Sequence, residues 1–244
     1  MVLVGYQIRN LVPYLQHPRG YAPLCMLHLP LALIELDSAP PWALILASYL
    51  LGAIPFGLIL AKGIKGVDPR TVGSGNIGAT NTIRAAGKAV GGSSFLLDVF
   101  KGAALVLLLK GSAQEHLAPY CFGAAVVGHC YPVYLGFQGG KGVATLVGGI
   151  LSIDPMLLVY GVLAWLLVLF STRLVGLASL AMVAAFAIGS GIRQGFGDSA
   201  TLVQFGLLAM ILWRHRGNLK RILDGSEPKA FEPKPDNFDE APND

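Results

Sequence analysis

The sequence predicts an all-α, polytopic integral membrane protein with about seven transmembrane helices, some of them short or tilted. The first observation is composition: 54% of the 244 residues are hydrophobic and 13% are charged, whereas soluble domains carry about 25% charged residues. The second is that apolar residues form runs of helical length, separated by short polar stretches rich in glycine. A soluble domain of this length cannot bury so many long apolar runs in one core. Composition and pattern therefore argue against a soluble protein.

The apolar runs give the predicted helices in chain order. They are residues 42–61, 94–109, 120–128, 143–153, 155–171, 174–189 and 201–213. A straight helix needs about 20 residues to cross the hydrocarbon core. Runs 120–128 and 143–153 are shorter than this, so they cross only if they are tilted or shielded by protein. We therefore expect about five to seven crossings.

Two terminal regions are predicted to lie outside the membrane domain, which we place at 42–227. Residues 1–41 contain six prolines and lack the layout of a signal peptide. We interpret them as a leader that is disordered or lies upstream of the native start. Residues 228–244 are polar and are predicted to form a C-terminal tail.

Positively charged residues predict the orientation. With seven crossings and the N-terminus outside, most basic residues and the C-terminus fall on the cytoplasmic side, as the positive-inside rule favours. This side holds 13 of the 18 Lys and Arg residues: Lys62, Lys65, Arg70, Arg84, Lys88, Lys141, Arg173, Arg214, Arg216, Lys220, Arg221, Lys229 and Lys234. Three polar stretches that carry candidate functional residues fall on the same side.

The first stretch is GSGNIGATNTIRAAGK, residues 73–88. Its glycines allow close backbone approach to a ligand, its small polar residues add donors, and its arginine offers a planar fork for phosphate. The candidate anion-binding residues are Gly73, Ser74, Gly75, Asn76 and Arg84. The alternative is an ordinary glycine-rich turn that leads into a capped helix.

The second stretch is GHCYPVYLGFQGGKGVATLVGG, residues 128–149. Lys141 lies among Gly139, Gly140 and Gly142 directly before an apolar helix, where free amides, the helix dipole and the lysine charge would together stabilise a phosphate. The spacing is not that of a Walker motif. The alternative is an interfacial lysine that extends to the membrane surface.

The third stretch is WRHRGNLKRILDGSEP, residues 213–228. Its simplest interpretation is a basic anchor after the last helix, facing anionic lipid. His215 and Asn218 are not needed for anchoring, and their spacing places them on one face of a helix. They are therefore candidates for contact with a substrate.

Asp98 lies near the start of a predicted membrane helix, where a carboxylate is usually paired or functional. Lys101 follows three residues later, so an ion pair within the helix is available. We favour a structural role for Asp98 over a functional one.

No metal, cofactor or nucleic acid is expected. Cys25, Cys121 and Cys130 are odd in number and form no C-x-x-C pair, so neither a disulfide framework nor a metal site is indicated. The net charge of +4 is better explained by the cytoplasmic membrane face than by nucleic-acid binding.

GSGNIGATN with Arg84, GHCYPVYLGFQGGKGVAT and RHRGNLKRILDG, in that order, resemble the three motifs of the bacterial acyl-phosphate:glycerol-3-phosphate acyltransferases, the PlsY family. The similarity runs from residue 42 to residue 227. It implies a seven-helix enzyme of the bacterial inner membrane, with its active site on the cytoplasmic side. Its reaction would transfer a fatty acyl group from acyl phosphate to the 1-hydroxyl of glycerol 3-phosphate, forming lysophosphatidic acid and phosphate. The expected partners are these two substrates and membrane lipid.

The resemblance also implies residue roles. Ser74, Arg84 and Lys141 would bind phosphate, while His215, Asn218 and Ser179 would line the glycerol 3-phosphate site. No catalytic base is required, because an acyl phosphate has a good leaving group and needs mainly positioning and charge stabilisation. The departing phosphate or another substrate oxygen would accept the hydroxyl proton. His215 and Asn218 would position the glycerol 3-phosphate. The H-x-x-x-x-D signature of other glycerol-phosphate acyltransferases is absent from this sequence.

Two features depart from the family pattern. Where the third motif usually has an acidic residue, this chain has Gly217, so the role of that acid is not carried over. The family also tends to begin close to its first helix, which leaves residues 1–41 unexplained.

The alternative function is a carrier for an organic phosphate, since cationic loops at helix ends also suit anion transport. Against it, the sequence shows no internal repeat, and its basic residues cluster at one edge of the predicted helices. The acyltransferase interpretation is therefore favoured.

Overall fold

The computed structural model describes residues 36–230, and within this range it contains helices and no strands. The helices are α1 (Pro41–Ala53), α2 (Phe56–Lys65), α3 (Ala79–Ala86), α4 (Lys88–Leu109), α5 (Ala118–Cys130), α6 (Val143–Ile153), α7 (Pro155–Thr172), α8 (Val175–Gln194), α9 (Ser199–Arg214) and α10 (Arg216–Leu223). Each predicted apolar run coincides with helical structure, so the all-α fold is confirmed. Most of the predicted leader, and residues 231–244 of the predicted tail, lie outside the described residues.

Helix length separates two groups of membrane helices. In the described part of the chain, the segments long and apolar enough to cross a bilayer are Pro41–Lys65, Lys88–Leu109, Pro155–Thr172 and Val175–Gln194. Helices α6 and α9 are apolar but shorter, and α5 has 13 residues. The runs that the sequence predicts to be short are therefore short in the structure as well.

The first predicted helix, 42–61, is interrupted rather than continuous. Helix α1 ends at Ala53 and α2 begins at Phe56, because Pro55 has no amide hydrogen with which to continue the helical ladder. Ile54 adopts an extended ψ of 118°, and its carbonyl accepts a hydrogen bond from the Phe56 amide at 3.1 Å. The break leaves this carbonyl open to a second donor.

Glycines allow the backbones of α4 and α6 to come into direct contact. A Cβ atom at Gly148 of α6 would lie 1.9 Å from the carbonyl oxygen of Val99 in α4, and one at Gly102 of α4 would lie 1.9 Å from that of Thr145. Close crossings of this kind are typical of membrane helices, where packing replaces the hydrophobic effect. They fix α6, and with it the loop that precedes α6, against α4.

The interior and the outer surface of the bundle are both apolar. Phe122, Ile150, Phe186 and Ile211 are buried in the main core. On α7, by contrast, Leu163, Leu167 and Phe170 are 58%, 72% and 69% exposed. Apolar surface of this extent is expected where lipid, rather than water, surrounds the protein.

Candidate active site

The loop before α3 is organised by the buried side chain of Asn81. Its Oδ1 accepts a hydrogen bond from the Ser74 amide at 2.9 Å. Its Nδ2 donates to the carbonyls of Pro69 at 2.6 Å, Asn76 at 2.8 Å and Val72 at 3.0 Å. One amide side chain therefore determines the shape of the loop that carries Ser74 and Asn76.

Glycine is required in this loop for two reasons. Gly73 and Gly75 have positive φ angles of 57° and 67°, which favour glycine because it has no Cβ atom. A Cβ at Gly73 would also lie 2.6 Å from Asn81 Oδ1. The Asn76 side chain completes the turn by accepting a hydrogen bond from the Gly78 amide at 2.8 Å.

The loop before α6 packs closely on the end of α5. The Gly139 amide donates to the Cys130 carbonyl at 3.2 Å, and the Gly140 amide donates to the His129 carbonyl at 3.0 Å. Gly142, with φ of 85°, directly precedes α6. The amides of Gly139 and Gly140 are thus already bonded within the protein, so an anion here would meet the side chain that follows them.

Arg214, the last residue of α9, joins the third polar stretch to the second. Its Nε donates to the Gly140 carbonyl at 2.9 Å and its Nη2 to the Gly139 carbonyl at 2.5 Å. Its guanidinium also lies 5.2 Å from the ring centroid of Tyr131, within the range of a cation–π contact. The residue therefore fixes the glycine loop as well as contributing charge.

Lys141 leads into a chain of polar contacts in the third stretch. Its Nζ donates to Asn218 Oδ1 at 2.6 Å, and Asn218 Nδ2 donates to Glu227 Oε1 at 2.6 Å. Arg221 Nε donates to the second carboxylate oxygen of Glu227 at 2.7 Å. Asn218 is thereby held with its amide oxygen towards Lys141.

A cleft of about 250 Å³ opens where the three stretches meet. Its lining residues are Ser74, Asn76, Lys141, Arg214, Arg216, Gly217, Asn218 and Arg221. This lining contains four cationic side chains and no acidic one. The cleft is smaller than the range of about 300 to 1,000 Å³ typical of drug-sized ligands, and its charge suits a small anion.

The cations in and around the cleft affect one another. Burial lowers the pKa of Lys141 to about 8, an effect opposed by Glu227 and reinforced by Arg221, Arg84 and Arg214. A lysine whose charged form is disfavoured in this way gains stability when an anion binds beside it. The electrostatics of the cleft therefore favour an anionic ligand.

His215 connects α9 to α10 and is neutral at pH 7. Burial, followed by the charge of Lys141, lowers its pKa to about 4. Its Nδ1 lies 2.9 Å from the Ile211 carbonyl oxygen. Because a carbonyl can only accept, Nδ1 carries the hydrogen and Nε2 keeps a lone pair.

The structure brings together in one cleft four residues predicted from separate stretches of the sequence: Ser74, Asn76, Lys141 and Asn218. Arg84, Ser179 and His215 do not belong to its lining. Arg84 is close enough to Lys141 to lower its pKa.

Ser179 is buried in α8, one helical turn from Gly176. A Cβ at Gly176 would lie 3.0 Å from Asn218 Nδ2, so this part of α8 packs on the residue that faces Lys141. Ser179 itself is not among the residues that line the cleft.

Three residues that hold the site together are not predicted from the sequence. They are Asn81, Arg214 and Glu227, whose polar partners lie between 5 and 75 positions away along the chain. For Asn81 the sequence offers only its place in the polar, glycine-rich stretch 73–88. Arg214 looks like one more residue of the basic anchor, and Glu227 lies at the start of the predicted polar tail, so the sequence gives no signal for either role.

Fold and site together define a polytopic integral membrane protein with a cationic cleft for a small anion at one end of its helices. Residues 42–225 match the family described as glycerol-3-phosphate acyltransferase. The chain belongs to this family.

Curated relatives match the same region. A glycerol-3-phosphate acyltransferase of Roseobacter denitrificans is 42% identical over 193 residues, covering 79% of this chain and 94% of the relative. One from Aquifex aeolicus is 41% identical over 187 residues, covering 75% and 96%. These matches confirm the predicted enzyme class, an acyltransferase.

Solved structures support the fold. A crystal structure of PlsY, an integral membrane glycerol 3-phosphate acyltransferase, in its glycerol 3-phosphate form, is 38% identical with a TM-score of 0.72. Its lysophosphatidic acid form is 35% identical with a TM-score of 0.68. Both cover 78% of this chain and 94% of the PlsY chain. The resemblance to PlsY and the membrane fold are confirmed, whereas the roles of single residues stay predictions.

Proposed function

We propose that this protein transfers a fatty acyl group from acyl phosphate to the 1-hydroxyl of glycerol 3-phosphate, forming lysophosphatidic acid and phosphate. The observation that carries the proposal is the convergence of Ser74, Lys141 and Asn218, from three separate stretches, in one cationic cleft. The family of the chain, and the glycerol 3-phosphate and lysophosphatidic acid forms of PlsY, support the same acceptor and product. The reaction would be the first acylation of phospholipid synthesis.

The cationic lining addresses the main electrostatic difficulty of this reaction. Both substrates carry a phosphate, and two anions held side by side repel each other strongly in a sheltered site. Lys141, with Arg214, Arg216 and Arg221 around it, offsets that repulsion before the reaction begins. Side chains that are already in place need no reorganisation as charge develops on the leaving group.

The chemical step then needs little beyond positioning. The 1-hydroxyl oxygen bonds to the acyl carbonyl carbon, and the bond from that carbon to the phosphate oxygen breaks. The departing phosphate accepts the hydroxyl proton, so lysophosphatidic acid and inorganic phosphate are the only products. Neutral His215 and the tethered amide of Asn218 position the glycerol 3-phosphate. The cations stabilise the charge on the departing phosphate.

We place the protein in the bacterial inner membrane with the cleft on the cytoplasmic side, the N-terminus outside and the C-terminus inside. The positive-inside rule supports this orientation, because the residues that line the cleft belong to the side predicted to hold 13 of the 18 Lys and Arg residues. Both proposed substrates are phosphorylated metabolites of the cell interior.

The test is an assay with purified protein in detergent. Supplied with acyl phosphate and glycerol 3-phosphate, it is expected to form lysophosphatidic acid, measured by chromatography, and to form none when acyl-CoA replaces acyl phosphate. A carrier cannot show activity in detergent because no compartments remain. Absence of product with acyl phosphate, from protein that still binds glycerol 3-phosphate, would favour the carrier.

A further inference from the structure

Asp98, Lys101 and His129 form a polar cluster inside the bundle, and none of the three lines the cleft. Lys101 Nζ lies 2.8 Å from Asp98 Oδ1, and His129 Nδ1 lies 3.5 Å from the same oxygen. The three residues are 1%, 2% and 4% exposed. The predicted ion pair between Asp98 and Lys101 is present, and the structure adds His129, which the spacing along the helix does not predict.

At one end the cluster contacts the break between α1 and α2. Lys101 Nζ donates a hydrogen bond at 2.8 Å to the carbonyl of Ile54, the extended residue at which α1 ends. The same ammonium lies 5.6 Å from the centroid of the Phe56 ring. The junction of α1 and α2 is therefore tied to α4.

At the other end the cluster reaches the loop that carries Lys141. The His129 ring packs so tightly against Gly140 that a Cβ there would lie 1.9 Å from Nε2. The His129 carbonyl also accepts the Gly140 amide at 3.0 Å, while Arg214 donates to the Gly140 carbonyl from elsewhere at 2.9 Å. Gly140 is thus fixed by His129 and Arg214, and Lys141 is the next residue.

We propose that Asp98 and His129 are positioning residues and that Lys101 is the counter-ion of Asp98: the Asp98 side-chain oxygen, 3.5 Å from Nδ1, orients the His129 ring, and His129 fixes the backbone of Gly140 so that Lys141 is aimed into the cleft. The inference rests on the proposed function. Attachment of α6 to α4 does not require these charges, because Gly102 and Gly148 already bring the two backbones into contact. What the cluster adds is a defined contact with the lysine loop.

The test compares two double variants that both remove the ion pair without leaving an unpaired charge. Asp98→Asn with Lys101→Met keeps an amide oxygen for His129 Nδ1, whereas Asp98→Leu with Lys101→Met leaves His129 without that partner. We expect kcat/KM to fall at least about tenfold in the leucine variant, since small displacements of a binding group can cost roughly 100-fold. The asparagine variant should stay within about threefold of wild type. Equal loss in both variants, with equal melting temperatures, would overturn the proposal.

A double-mutant cycle with Lys141→Ala separates positioning from general destabilisation. If the cluster acts through Lys141, the leucine double variant has no further effect on kcat/KM in the Lys141→Ala background. Independent, multiplicative losses would mean that the cluster acts elsewhere, and would contradict the proposal. Should neither double variant fold, His129→Asn, which leaves the ion pair intact, is expected to show the same dependence on Lys141.

Failure of the proposed function is recognised separately, because wild type then makes no lysophosphatidic acid. In that case the readout is the rise in melting temperature that glycerol 3-phosphate causes in detergent. The leucine double variant is expected to lose this rise and the asparagine variant to keep it. The same rise in wild type and in both double variants would refute the positioning role.

Discussion

Lys141 is the central cation of the cleft. It donates a hydrogen bond to Asn218, and the charges of three arginines lower its pKa further. We expect Lys141→Ala to lower kcat/KM for glycerol 3-phosphate at least about tenfold, because a charge-assisted hydrogen bond in a sheltered site contributes about 1.5 to 3 kcal/mol. Arg84 is exposed and does not line the cleft, so a similar loss in Arg84→Ala would mean that Arg84 reaches the bound phosphate. The control is Lys220→Ala, an exposed residue of α10, with an expected change of less than about twofold. Unchanged kinetics in both site variants would remove these residues from the site.

The pKa of Lys141 also predicts a dependence on pH. Its value of about 8 lies below the ordinary 10.5, so the ammonium is present below pH 8 and is lost as the pH rises through 8. The phosphate of glycerol 3-phosphate, with a second pKa of about 6, does not change over this range. We therefore expect KM for glycerol 3-phosphate to rise between pH 7 and pH 9.5. Lys141→Arg, which stays charged, should show a flat profile, and identical profiles for the two proteins would contradict this assignment.

At the same scale, the sequence predicts candidates better than it predicts their supports. Lys141 and Asn218 could be selected because their chemistry suits phosphate and their setting is unusual for a membrane loop. Arg214 could not be distinguished from the anchor residues around it, since its role depends on two carbonyls 74 and 75 positions away. The amides of Gly139 and Gly140 were expected to face an anion, and only the fold shows that they are bonded to the end of α5.

Among the helices, the crossing of α4 and α6 tolerates no larger residue. We expect Gly148→Ala to lower the melting temperature in detergent markedly or to prevent folding, because the new Cβ would lie 1.9 Å from a backbone oxygen. Gly92 is the matched control: it lies within α4, and a Cβ there would meet nothing within 4 Å. Gly92→Ala should be neutral or slightly stabilising, by up to about 1 kcal/mol. Equal melting temperatures for the two variants would show that this crossing is not closely packed.

The positions of the helices could be predicted well from hydropathy, since backbone groups in lipid leave few alternatives to a helix. Details that depend on single residues were harder to predict. The run 42–61 looks continuous by composition, yet Pro55 divides it into α1 and α2. Whether runs as short as 143–153 cross the bilayer depends on the surrounding helices, which periodicity does not describe.

For the molecule as a whole, the proposed orientation gives a labelling prediction. Lys88 and Lys110 flank α4 and are both exposed, so they should lie on opposite sides of the membrane. In a background without native cysteines, a membrane-impermeant maleimide applied to intact cells should label Lys110→Cys and leave Lys88→Cys unlabelled until the cells are opened. Reversed labelling would invert the orientation and place the cleft outside.

The lengths of α5 and α6 determine how deep the cleft lies. At about 1.5 Å per residue, helices of 13 and 11 residues extend about 20 Å and 16 Å, whereas the hydrocarbon layer is about 30 Å thick. If their far ends lie at one surface, the loop between them stops short of the other. We then expect a donor lipid to present its head group at this depth while its acyl chain stays among the neighbouring lipids. The hydrophobic chain then does not have to enter water.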